Sequence, residues 1–189
     1  MKTEFNFVLD NKTKILISIP DLQLKFNYYY EPTEKLHKFD EAKVCFVSKQ
    51  NEILLCQDIL DHIIQTMHVR LKKASTNNLL LPERLKAGYV GAELNKMLNG
   101  ISDLNLNPFW MWSALGEVQT LLYNYDNKIY LEIVPTFPDS FDDNSDKPLS
   151  ELFKEFMKTY KPYFVTEIPI ETAQQWLEQS EQIIQMINN

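Results

Sequence analysis

Residues 107–135 read NPFWMWSALGEVQTLLYNYDNKIYLEIVP, and the alternation inside this stretch decides the fold class. Residues 117–123 alternate in character, as do 128–134, and Asn124-Tyr125-Asp126-Asn127 between them is rich in turn-forming side chains. Successive strand side chains point to opposite faces. A four-residue loop that pairs Tyr123 with Lys128 puts Val118, Thr120 and Leu122 on one face with Ile129, Leu131 and Ile133. That nearly apolar face is predicted to be core. The opposite face then carries Glu117, Gln119, Leu121, Tyr123, Lys128, Tyr130, Glu132 and Val134. Slipping the register by one residue would mix the two sets, which burial disfavours.

In this register Glu132 lies opposite Gln119 and diagonal to Glu117, so the two carboxylates stand roughly 7–8 Å apart at Cα. Such a pair can share a water, a cation or a substrate proton, each raising the other's pKa. The plainer alternative is two solvent-facing residues on a half-exposed sheet. Trp110 and Trp112, just upstream, either roof such a pair or belong to the core.

Trp112-Ser113 followed by Gly116-Glu117, then Glu132-Ile133-Val134-Pro135, resembles a block found in small uncharacterised bacterial proteins. The helix–strand–helix tail is similar too, and the likeness spans about the last eighty residues. Some proteins of this build resemble immunity proteins that neutralise a partner toxin. The resemblance implies a binding role and carries over no functional residue.

The composition suits a folded chain: 189 residues, 44% hydrophobic and 12% aromatic, enough for one core and one domain over 1–189. The net charge of −7 disfavours sequence-independent nucleic-acid binding and suits a basic protein partner. No apolar run approaches the roughly 18–20 residues that span a bilayer. Charges interrupt MKTEFNFVLDNKTK where a signal peptide would be apolar, so a cytoplasmic protein is expected. Cys45 and Cys56 read as buried small hydrophobes in adjacent strands.

Outward from the central hairpin, strands are expected at Phe5–Leu9 and Ile15–Ile19, with Leu9 paired to Ile15. A third follows at Leu22–Tyr30, and a hairpin at Ala42–Ser48 and Glu52–Cys56. Helical stripes run from Asp58 to about Lys73, from Glu83 to Leu98, from Pro148 to Tyr160 and from Pro169 to the C-terminus. Tyr163–Ile168 is a short extended piece or edge strand. Gly88 and Gly91 weaken the second helix, and close approach to a neighbour would explain them. The reading is an α+β fold: a mainly antiparallel sheet of about 6–8 strands with about four helices packed on one face.

The chemistry expected is sparse. Asp139–Asp146 lacks the central glycine and terminal glutamate of a calcium loop. His62 and His68 are six apart, too far round a helix to share a metal. No nucleophile elbow, phosphate loop or dinucleotide fingerprint occurs, so no catalytic residue, metal or cofactor is assigned. Two functions remain. One is a binding protein that presents Glu117, Gln119, Tyr123, Tyr130 and Glu132 on an open sheet face to a basic partner. The other is a small hydrolase or ligand-binding protein that uses the Glu117/Glu132 pair.

Overall fold

A computed structural model describes residues 3–20, 36–49, 51–114, 116–138 and 147–189. The expected strand at Leu22–Tyr30 and the acidic stretch Asp139–Asp146 lie outside them. Eight antiparallel strands and four helices make up the described chain, an α+β fold.

The strands form two sheets of four rather than one. The first takes β1 (Thr3–Val8), β2 (Lys14–Ile19), β3 (Glu41–Val47) and β4 (Glu52–Ile59) in chain order. The second takes β5 (Trp110–Ala114), β6 (Val118–Tyr125), β7 (Lys128–Pro135) and β8 (Phe164–Ile168), also in order. The edge strands β4 and β5 are neighbours, and the ring of Phe46 in β3 packs 4.4 Å from that of Phe164 in β8.

Between the sheets runs α1 (Leu60–Ser75), which buries Leu60, Ile63, Ile64, Met67 and Leu71 as its stripe predicts. The helix starts after Asp58, at which the stripe is expected to begin. The strand continues to Ile59, and no side-chain cap is present. The C-terminal α4 (Ile170–Asn188) lies along α1. Trp176 anchors it to the first sheet, giving its indole N–H to the carbonyl of Val8 at 2.9 Å and meeting Phe7 edge-on.

On the other side of the second sheet, against β6 and β7, lies a further helix, so the helices are not confined to one face. The helix α2 (Val90–Leu98) is shorter than predicted. Gly88 sits at φ +82°, in the left-handed region where glycine is at ease, and the helix begins after it. Gly100, at φ +68°, ends it with the paired bonds Ile101 N–H to Lys96 and Gly100 N–H to Met97, a Schellman close. Gly91 shows the close approach its sequence implies: a Cβ there would stand 2.4 Å from Val134 Cγ1 and 2.3 Å from the Tyr160 hydroxyl oxygen. On the same side lies α3 (Leu149–Thr159), whose Phe153 and Phe156 meet Phe137.

The buried apolar side chains form one cluster drawn from both sheets. Cys45 and Cys56 are buried free thiols within the first sheet. Among the described residues no helix is long and apolar enough to cross a membrane.

Candidate functional site

The central hairpin keeps its predicted faces but not its predicted register. Tyr125 pairs with Lys128 across the two-residue turn Asp126-Asn127, whose φ angles of 50° and 57° fit a left-handed hairpin turn. Both strands therefore shift by two residues relative to each other, which preserves side-chain parity. Glu132 now faces Leu121 instead of Gln119, and Glu117 lies just outside β6, accepting a backbone bond from Thr136. Thr136 is four residues along the strand from Glu132, a separation of roughly 13 Å at about 3.4 Å per residue. The carboxylate pair expected from the sequence is not formed.

Nor is the face open. Gln119, Tyr123 and Glu132 are buried, Tyr130 is half-buried and only Glu117 is exposed. The reason is α2 and the chain leading into it, which cover this side of β6 and β7. Tryptophan residues 110 and 112 do not roof a carboxylate pair. Trp112 is core, its indole N–H directed at the carbonyl of Ile63, and Trp110 donates to the side-chain oxygen of Gln119.

Glu132 is fully buried, and the protein supplies its donors. Its carboxylate accepts the N–H of Gly91 at 2.9 Å and the hydroxyl of Tyr123 at 2.6 Å. The Tyr123 oxygen in turn accepts the N–H of Gly88 at 3.0 Å. Burial pushes the Glu132 carboxyl above its ordinary range, while Tyr123 and the backbone N–H groups of Gly91, Gly88 and Val90 pull it back. Burial, with the charge of Glu132 beside it, likewise raises the Tyr123 phenol. The arrangement fastens the first turn of α2 to the middle of the sheet, using a carboxylate where the exposed N–H groups of a helix start need an acceptor.

Three exposed acids stand together elsewhere. Where β4 runs beside β5, two adjoining hollows of about 310 and 330 Å³ share Leu54 and Ala114. Glu41 and Gln57 stand at one and are hydrogen-bonded to each other. Glu52, Glu117, Val118 and Tyr163 stand at the other. Tyr163 is 54% exposed, and among the described residues no cation pairs with Glu52 or Glu117. Of the five residues expected to bind a partner, only Glu117 belongs to this groove.

Glu41, Glu52 and Tyr163 escape sequence reasoning because Glu41 and Glu52 come from the β3–β4 hairpin and Tyr163 from the far end of the chain, just before β8. Their one local signal is outward parity, clearest for Glu52 at the start of β4. Among the described residues no three His, Cys, Asp or Glu side chains converge as a metal set. Compared with known proteins, the chain matches no family model, no curated protein and no solved structure.

Proposed function

We propose that the protein is a non-catalytic binding protein, of the immunity or antitoxin type, that neutralises a basic partner in the cytoplasm. The observation that carries this reading is the groove between β4 and β5, where the carboxylates of Glu52 and Glu117, with no cation paired to them among the described residues, flank the exposed Tyr163. An exposed aromatic beside uncompensated acids is a surface that a lysine- or arginine-rich segment can neutralise. Both flanking strands are also the edges of their sheets, so backbone groups are at hand for an extended segment. Glu132, buried in the second sheet, is engaged by Tyr123 and Gly91 and leaves this chemistry to the surface. Two free thiols accord with a reducing compartment.

The test is affinity capture from a lysate of the source cells at low ionic strength, using the wild type and Glu52→Lys/Glu117→Lys. Both residues are exposed, so the double variant is expected to keep its circular dichroism and melting temperature. A basic partner held in stoichiometric amount by the wild type, released by salt and lost in the double variant is the expected result. Undiminished capture by the variant would remove the groove from the model. Capture of no basic partner by the wild type would remove the function.

A further inference from the structure

We propose a second, independent binding site: the cleft beside Arg70, for a small organic carboxylate with an apolar body. The cleft encloses about 470 Å³ between α1, β5 and the C-terminal end of α2. Leu98, Trp110, Met111 and Phe137 give it apolar and aromatic walls, and among the described residues Arg70 is the only charged one lining it.

Arg70 is half-buried. Its Nε–H donates to the carbonyl of Trp110 at 2.8 Å, and one terminal nitrogen donates to the carbonyl of Asn107 at 3.4 Å. These neutral acceptors fix the guanidinium without cancelling its charge. No Asp or Glu pairs with it among the described residues, in a chain where 26 acids face 19 bases. Two of the five N–H donors of an arginine are thus spent, and the rest of the fork is uncommitted. A half-buried cation gains most from a carboxylate that matches this fork, because charge-assisted bidentate bonds are strong where water is partly excluded.

The other polar groups at the cleft are largely spent on one another. Trp110 donates to Gln119, Gln119 donates to Ser113 at 2.9 Å, and Thr136 donates to the carbonyl of Gly116. That leaves Arg70 as the orienting group and the walls as the source of burial, the usual composition of a small-molecule site. A single cation with no lysine beside it among the described residues matches one negative charge, which favours a carboxylate over a phosphate dianion.

Isothermal titration with 2-naphthoate and its neutral isostere 2-naphthamide tests the site. The wild type should bind the acid at least about tenfold more tightly than the amide, a difference of about 1.4 kcal/mol. Arg70→Gln should bring the two affinities together, and Thr66→Trp, which fills the cleft and leaves Arg70 in place, should weaken both. Equal affinities in the wild type, no detectable binding of the acid, or full binding by Arg70→Gln would each overturn the proposal. Should Arg70→Gln lose its fold with its two carbonyl contacts, unchanged binding of the acid by Thr66→Trp would overturn it equally.

Discussion

The two sheets of this protein are built from the same kind of strand and live in different surroundings. In the first sheet β1 and β2 alternate, with Phe7, Ile15, Ile17 and Ile19 buried and their neighbours at least partly in water. In the second, β6 is buried from Gln119 to Asn124 and β7 from Leu131 to Val134, on both faces. One side meets α1 and the other meets α2. Coverage on both sides cuts the polar residues of these strands off from water: Gln119, Tyr123, Asn124 and Glu132 are hydrogen-bonded within the protein, whereas Thr120 Oγ1 finds no partner among the described residues. Glu132 holds the start of α2, and Asn124 binds Leu79 N–H at 3.0 Å and Ala74 carbonyl at 2.9 Å. From α2, Asn95 donates to the carbonyl of Pro135 and accepts the N–H of Phe137. The first sheet is held by its apolar face, whereas the second also needs polar clamps.

Cutting a clamp should therefore cost far more than altering a strand residue of the first sheet. Glu132→Ala leaves the Gly91 N–H and the Tyr123 hydroxyl without their acceptor in a dry interior, at about 1–3 kcal/mol for each orphaned donor. A loss of about 3 kcal/mol or more is expected in urea denaturation, against a change within about 0.5 kcal/mol for Glu52→Ala at the exposed start of β4. Equal and small effects would mean that the carboxylate is not what holds the covered face.

A smaller effect is expected from the seat of α2 itself. The Cβ of Gly91→Ala would fall against Val134 Cγ1 and the Tyr160 hydroxyl. The hydroxyl can swing aside, but Val134 is rooted in β7 beside the contact. Overpacking of this kind costs about 1–3 kcal/mol, offset by up to about 1 kcal/mol of better helix propensity. The net expectation is a loss of about 1 kcal/mol, read from the denaturant midpoint at unchanged slope. A stabilised variant would show that α2 rides on the sheet loosely, and the contrast between the sheets would weaken accordingly.

The same contrast explains what was legible from sequence. Parity came through in both hairpins, because a two-residue alternation is enforced by burial wherever one face is dry. Register did not, and in both hairpins the error was two residues. Phe7, not Leu9, pairs with Ile15, and Tyr125, not Tyr123, pairs with Lys128. A shift of two leaves every face intact, so hydrophobic pattern is blind to it. Turn chemistry decides instead, through Asp126 and Asn127 at positive φ and through the Asp10 carboxylate accepting the N–H groups of Lys12 and Thr13. Helix stripes such as that of α1 and anchors such as Trp176 were readable because each records its own burial. Coverage of the second sheet was not, since the residues of α2 say that it buries a face without saying which. The expected site rested on that missing fact: Glu117 and Glu132 share a parity, but only one of them is under a helix.

The finest test of the comparison uses pH, because only a covered face can shift a carboxyl by burial. Glu132 has a folded pKa above its unfolded value of about 4.3. Below the unfolded value both states carry the proton and the group contributes no pH dependence. As pH rises through the window between the two values, the unfolded chain gives up its proton first, so the folded state is progressively disfavoured. Burial of this carboxyl is thus a cost to stability that acid relieves. Glu132→Gln cannot titrate, and subtracting its stability from that of the wild type removes the other carboxyls, several of which are shifted the opposite way, such as Asp10, Glu93 and Asp103. The difference, wild type minus variant, should fall in urea titrations as pH rises above about 4.3, the unfolded carboxyl value, and level off once the folded carboxyl has also ionised. A difference that stayed flat would place the Glu132 carboxyl in its ordinary range, with donors from Tyr123 and the start of α2 compensating fully for the loss of water. A difference that rose with pH would go further and make the carboxylate a stabilising anion, with the helix start rather than burial setting its protonation.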